Sequence, residues 1–305
     1  MQRFILVALL IALVATIGYC ADLPIPQVKG YDGEFWIKSA APTADGKTIV
    51  VGIYNGQGLG RWIGLVEKTG FLWWRHDDYA WVRIMDVQET SRLYYVSDVK
   101  SVSDGFLMIW GPKEEDPRIA KFDLNGNMVW EESLKGVWGP GWQSLILSNL
   151  YKTSDGFLLT GATTLGYYQP SDAFIAKLDN SGKRVLWKRT LDFGGVDDMG
   201  TILNPDEPLF LVHAQNVRIP YYVNEYEAAL YLIKLTADGR DDTTQLLKET
   251  KGRFLQSYVL RSNHNYEVMI LDSNSPSGFG DYDTLPPGIS LDSTRVQITP
   301  DGKIL

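Results

Sequence analysis

The residues of this chain that could do chemistry are aromatic rings and carboxylates concentrated in irregular segments between apolar runs. The rings are those of Tyr167, Tyr168, Tyr221, Tyr222, Tyr226, Trp81, Trp138 and Trp142. The carboxylates among them are those of Asp77, Asp78, Asp197, Asp198, Glu225, Glu227, Asp281 and Asp283. Flat rings offer stacking surfaces, and carboxylates accept hydrogen bonds from hydroxyl groups or hold a cation. The pattern favours a ligand-binding surface, although long loops folded onto their own rings have the same composition.

Two carboxylates could instead serve as the acid and the nucleophile or base of a glycoside hydrolase, at a separation of about 5–10 Å. The candidates are Asp98, Asp197 and Asp198, with Asp86 as a fourth, because they stand on or just before one recurring strand. Other positions of that strand carry small polar residues such as Ser39, which suit close packing. The sequence therefore favours a non-catalytic protein over an enzyme.

Metal and cofactor chemistry has little basis in the sequence. The histidines His76, His213 and His264 lack metal-ligand spacing and are expected in loops or at the surface. The oxygen-rich segment 272–283 lacks the regular spacing of a calcium-binding loop. We expect no metal and no cofactor.

The N-terminus has the pattern of a secretory signal peptide over residues 1–21. Arg3 precedes an uncharged apolar run from Phe4 to Ile17, which is too short for a membrane span of about 20 residues. The single cysteine, Cys20, either precedes the cleavage site or is the lipidated first residue of a lipoprotein. The prediction is a secreted, periplasmic or cell-envelope protein without a transmembrane segment in its mature chain. The formal net charge of −8 argues against nucleic acid as a partner.

A repeat positions these residues along the chain. A glycine recurs about every 57 residues, at Gly70, Gly126, Gly182, Gly239 and Gly302. An apolar residue stands four positions before each glycine, and lysine stands five positions before the three middle ones. Alternating apolar and polar residues around polar turns predict four antiparallel strands in each repeat.

Five such units over residues 22–305 predict an all-β chain, a single β-propeller domain of about five four-stranded antiparallel blades. Residues 302–305 are expected to form a short last strand. An open stack or part of a larger propeller is the alternative.

The segments "SDGFLLTGATT" and "DAFIAKLDNSGKRVLWKRT", from Ser154 and Asp172, resemble the repeats of secreted bacterial propellers of the quinoprotein-alcohol-dehydrogenase-like (PQQ-like) kind. The likeness is good in the second and third repeats and weak in the last two. It implies a fold and does not imply an activity, because families with these repeats include enzymes and scaffolds.

The predicted meander separates two sets of loops. Short polar turns lie on one face, and the long irregular segments with the rings and acids lie on the other, with Trp81 assigned to a connection on that second face. The favoured function is non-catalytic binding of a glycan, peptide or protein, and the alternatives are a propeller glycoside hydrolase and an assembly scaffold. The recurring Lys121 and Lys177 are expected to reach Asp123 and Asp179, two residues further along the same strand face.

Overall fold

The computed structural model describes most of the chain after the N-terminal segment. The described residues are 23–56, 59–69, 76–88, 94–112, 117–135, 137, 144–164, 171–194, 196–217, 226–251, 254–261, 265–273 and 291–305. Among these residues, no helix is long and apolar enough to cross a membrane.

The described residues form five antiparallel sheets, each following the chain in simple up-and-down order. The first sheet comprises Glu34–Pro42 (β1), Thr48–Asn55 (β2), Leu59–Thr69 (β3) and His76–Gln88 (β4). The second comprises Tyr94–Val102 (β5), Gly105–Pro112 (β6), Arg118–Phe122 (β7) and Met128–Ser133 (β8). The third comprises Ser144–Thr153 (β9), Gly156–Thr164 (β10), Ser171–Leu178 (β11) and Val185–Leu191 (β12).

The remaining two sheets differ in strand number. The fourth comprises Val196–Asn204 (β13), Leu209–Val217 (β14), Tyr226–Leu235 (β15) and Asp241–Lys251 (β16). The fifth comprises Phe254–Arg261 (β17), Tyr266–Ser273 (β18) and Leu291–Ile298 (β19). In place of the predicted last strand, one bridge joins Ile298 to Ile304. Successive meanders of this kind are propeller blades, so the predicted all-β propeller of about five blades is confirmed.

The chain divides into two compact units. The first unit contains the first two sheets together with Ile146–Leu150 of β9, and the second contains the rest of the third sheet and the last two. Within the first unit, Ile49, Ile63 and Met108 belong to an apolar cluster that joins two sheets face to face. Within the second unit, Ile175 and Val212 belong to a comparable cluster.

The repeated glycine ends the same tight turn in the later sheets. The Gly126 N–H donates to the Asp123 carbonyl at 3.0 Å, and the Gly182 N–H donates to the Asp179 carbonyl at 2.9 Å. Gly126 has a φ of +74°, a left-handed conformation that glycine adopts without the steric penalty of a Cβ. The glycine in the repeat is therefore required by the backbone of the turn.

In two places, a tryptophan on the fourth strand of a sheet covers the glycine turn of the following sheet. Trp81 lies over Gly126, and a Cβ added to that glycine would lie 2.6 Å from the ring. Trp187 lies over Gly239 in the same way, also at 2.6 Å, and its Nε1–H donates to the Ala237 carbonyl at 2.8 Å. In both places, a tryptophan on the fourth strand of one sheet contacts the glycine turn of the next sheet.

We expect Gly126→Ala to lower the free energy of unfolding by more than Gly46→Ala. Gly46 also has a positive φ, of +82°, but an added Cβ would meet nothing within 4 Å. Both variants carry the backbone strain of about 1 kcal/mol, and only Gly126→Ala also displaces a tryptophan ring, at a further cost of about 1–3 kcal/mol. Urea denaturation of the two variants measures the difference, and equal losses would contradict the ring contact.

Candidate functional site

The structure describes the predicted site residues unevenly. Tyr167, Tyr168, Tyr221, Tyr222, Trp138, Trp142 and Cys20 lie outside the described residues. Tyr226, Asp86, Asp197 and Asp198 have described strand positions only: Asp197 pairs with Ala214 and Asp198 with His213 in the β13–β14 ladder. Asp98 and Trp81 are described in full, and they lie in different settings.

Asp98 is a buried carboxylate at the junction of three strands of the first unit. Its side chain accepts hydrogen bonds from the Ser39 hydroxyl on β1 (2.6 Å) and from the Leu150 N–H on β9 (2.9 Å). It also accepts from its neighbour's N–H, that of Val99, at 2.8 Å and from the Lys100 ammonium at 2.7 Å. The residue is 5% exposed, so these donors take the place of water around the charge. Its role in this structure is to tie strands together, and a catalytic role stays a prediction.

Ser39 and Asp98 form a repeated linkage between strands. Each follows a bulge in the first strand of its sheet, and they pair with Val51 and Ile109 at equivalent points of β2 and β6. The Ser39 hydroxyl accepts from the Val99 N–H at 3.3 Å, as Asp98 accepts from Leu150. The small polar residues expected to suit close packing therefore also satisfy backbone N–H groups of a neighbouring strand.

We expect Asp98→Ala to destabilise the protein by about 3 kcal/mol or more, because it leaves donors on two other strands and the partly buried Lys100 without their acceptor. Asp98→Asn should cost less, since an amide oxygen can still accept. Asp104→Ala is the control, because it removes an exposed ion pair with Lys121 at 2.6 Å. A loss for Asp98→Ala as small as that of the control would contradict this role.

Trp81 lies in a strand and not in a connection between sheets. The fourth strand of the first sheet runs from His76 to Gln88, so the sequence-based placement of Trp81 in the connection on the long-loop face is wrong. Trp81 pairs with Leu65, and Trp187 pairs with Lys177 at the equivalent point of the third sheet. This register explains why both rings reach the glycine turn of the next sheet.

A cleft opens beside Trp81 on the side of the short turns. It has a volume of about 200 Å³ and lies between the first and second sheets. Its lining consists of Asp45, Lys47, Leu65, Ala80, Trp81, Leu124 and Asn125. The cleft thus places one indole ring beside a carboxylate, an ammonium group and an amide.

The polar groups of the cleft are held in place and remain accessible to solvent. The Thr43 hydroxyl donates to Asp45 at 2.5 Å and holds the pKa of that carboxyl below its ordinary value. Lys47 lies 3.6 Å from Asp45 and 3.4 Å from Glu67. A ligand that entered the cleft would meet a preformed acceptor and donor next to an aromatic surface.

The predicted partners of the repeated lysines are wrong. The Lys121 ammonium donates to Asp104 at 2.6 Å, and the Lys177 ammonium contacts Asp155 and donates to the Thr153 hydroxyl at 2.6 Å. Asp123 is occupied within its own turn, where it accepts from the backbone N–H groups of residues 125 and 127 at 2.9 and 2.8 Å. The aspartates that follow the lysines therefore stabilise turns, while the aspartates of the preceding hairpin hold the lysines.

His213 lies half-buried on a strand, so the expectation of a loop or surface residue is wrong. It lies on β14, and its Nε2 is 2.8 Å from the Ser257 hydroxyl on β17. Burial lowers the pKa of His213 to about 4, against a smaller opposing effect of a hydrogen bond to the Leu255 backbone. The neutral imidazole thus links the fourth and fifth sheets within the second unit.

We expect His213 to make stability depend on pH. The unfolded histidine binds a proton at a pKa near 6.5 and the folded one near 4, so the free energy of unfolding should fall as pH decreases from 6.5 to 4. The loss is at most about 3 kcal/mol. Urea denaturation of wild type and His213→Gln across this range isolates the effect, and parallel profiles would contradict it.

A second perturbed group, Asp172, was not recognised in the sequence. It stands near the start of β11, beside the last ladder pair of Ala173 with Leu191, and it is 6% exposed. Burial and the nearby charge of Asp192 raise the pKa of Asp172 to about 6. The sequence gives no signal for this group, because a sequence cannot show burial. In the part of the chain that is described, no three acidic, histidine or cysteine side chains group to hold a metal ion.

No protein-family model matches this chain, and no curated protein matches it. The chain is similar in structure to the haemagglutinin-neuraminidase of parainfluenza virus 5, with 9% identity over 92% of this chain and 80% of that one and a TM-score of 0.43. It is also similar to an acylaminoacyl peptidase of Pyrococcus horikoshii, with 12% identity, 90% of this chain and a TM-score of 0.46, and it spans 40% of that protein's length.

A third similar structure is the catalytic domain of a Coprinopsis cinerea GH62 α-L-arabinofuranosidase. The identity is 12%, the coverage is 91% of this chain and 95% of that one, and the TM-score is 0.38. Likenesses at these identities and TM-scores carry nothing about the activity, substrate or partners of this chain.

Proposed function

We propose that this protein is a secreted or periplasmic, non-catalytic propeller that binds a glycan. The Trp81 cleft supports this proposal, because it combines an aromatic surface with hydrogen-bonding groups of both kinds. The apolar N-terminal run supports export.

The chemistry of the cleft favours a sugar among the ligands that the sequence leaves open. An indole ring can pack against the apolar C–H face of a pyranose ring, and the polar tips around it can bind the hydroxyl groups. Asp45 accepts, Lys47 donates and the Asn125 amide does both. Both charges are already paired with each other or with Glu67, so the cleft has no strong preference for a charged ligand.

Trp81→Ala should abolish glycan binding while Trp187→Ala should preserve it. Both rings occupy the same register and cover a turn glycine, so the two variants have similar structural consequences. Only Trp81 lines the cleft. A glycan array with the wild-type chain selects the ligand, and calorimetry should then show at least a tenfold weaker affinity for Trp81→Ala, equivalent to about 1.4 kcal/mol.

The predicted rings of the long-loop face provide the competing location. If the glycan binds there, the triple variant Tyr221→Ala, Tyr222→Ala and Tyr226→Ala loses binding and Trp81→Ala retains it. That result would overturn the cleft as the site and keep the binding function. If the wild-type chain binds nothing on the array, the proposed function itself fails.

A further inference from the structure

A second cavity lies in the second unit, between the fourth sheet and the connection that follows β12. It has a volume of about 100 Å³. Its lining consists of Phe193, Gly194, Ala214, Ala228, Ala229, Tyr231 and Glu249. The residues come from the connection after β12 and from three strands of the fourth sheet, so the cavity is separate from the Trp81 cleft.

Small side chains leave this space at the end of a well-filled apolar layer. The third and fourth sheets pack Ile175, Phe210, Val212 and Ile233 in one buried cluster. Beyond them the fourth sheet presents Ala214, which pairs with Ala229 in the β14–β15 ladder. Ala214 and Ala229 lie beyond Val212 and Ile233 on the neighbouring strands β14 and β15, and their small side chains line this space.

The wall of the cavity is aromatic. The rings of Phe193 and Tyr231 stack with centroids 4.3 Å apart and an interplanar angle of 16°. The two stacked rings form one aromatic surface, the ring slab, next to the alanines. A stacked pair of this kind presents electron-rich ring surface, which attracts cations.

The lining of the cavity includes two polar side chains, those of Glu249 and Tyr231. Within the described residues, neither the Glu249 carboxylate nor the Tyr231 hydroxyl takes part in a hydrogen bond or ion pair. Glu249 is exposed on β16 and pairs with Ala229 in the sheet, so its carboxylate is at the mouth of the cavity. The lining therefore has one negative charge, one hydroxyl and no basic side chain.

From this arrangement we infer that the cavity is a binding site for a primary alkylammonium group. The short alkyl chain would lie against the alanines and the ring slab, and the ammonium would donate to Glu249 and the Tyr231 hydroxyl. The volume admits roughly three water-sized units, which suits a chain of a few heavy atoms and excludes a whole sugar or nucleotide. A free amine and the end of a lysine side chain share this chemistry.

Titration of the isotope-labelled full chain with n-propylammonium chloride, followed by NMR, tests the site. We expect saturable shifts at Gly194, Ala229 and Glu249, and at least a tenfold weaker affinity for Glu249→Gln. Asp242→Asn is the matched control, because Asp242 is an exposed carboxylate on the same strand that does not line the cavity. Ala229→Leu, which fills the space, should bind at least tenfold more weakly while its melting temperature confirms folding.

Two further ligands sharpen the outcome. 1-Propanol has a similar shape without the charge, so binding as tight as that of propylammonium would overturn the inference, as would unchanged affinity in Glu249→Gln. Nα-acetyl-lysine methylamide distinguishes the sources. If it binds more tightly than propylammonium, the site takes a lysine side chain, and if only propylammonium binds, the site takes free amines.

Discussion

The inner strands β3 and β11 are buried on both faces of their sheets, and packing against neighbouring elements covers those faces. On β11 every described side chain from residue 172 to 178 is buried, as are residues 61–66 of β3. A strand buried on both faces cannot belong to a sheet that stands alone in water. The fold therefore depends on face-to-face packing. Two sets of contacts support this packing. Tryptophan rings lie over turn glycines of the next sheet, and hydrogen bonds join the first strands of neighbouring sheets.

Burial of polar groups sets the second constraint. Asp98 and His213 lie between strands of different sheets, and each is satisfied in its own way. Several hydrogen-bond donors surround the Asp98 carboxylate, whereas burial lowers the pKa of His213 and keeps the imidazole neutral. Both residues link sheets by contacts that apolar packing alone would not specify.

The repeat made the fold predictable from the sequence, but it did not show which residues form the candidate site. Alternation and glycine turns predict strands, because strand side chains alternate and a left-handed turn residue is nearly always glycine. The partners of Lys121 and the place of Trp81 were not predictable. Lys121 has an aspartate two residues further along the chain, in the turn after β7, and its pairing with Asp104 instead depends on which hairpin lies beside it. The sequence placed Trp81 in a connection, whereas the fourth strand runs from His76 to Gln88 and includes it.

The sequence by itself determined the class of fold, the length of the repeating unit and the turn residues, because these depend on local backbone conformation and on an alternation of side chains that is visible in one dimension. Only the tertiary structure decided which residues share a cleft. Trp81 and Asn125 line one cleft, and Phe193 stacks on Tyr231. Both arrangements depend on the packing of side chains that are far apart in the chain. The small side chains of Ala214 and Ala229 line a cavity only because no other side chain fills the space beside them.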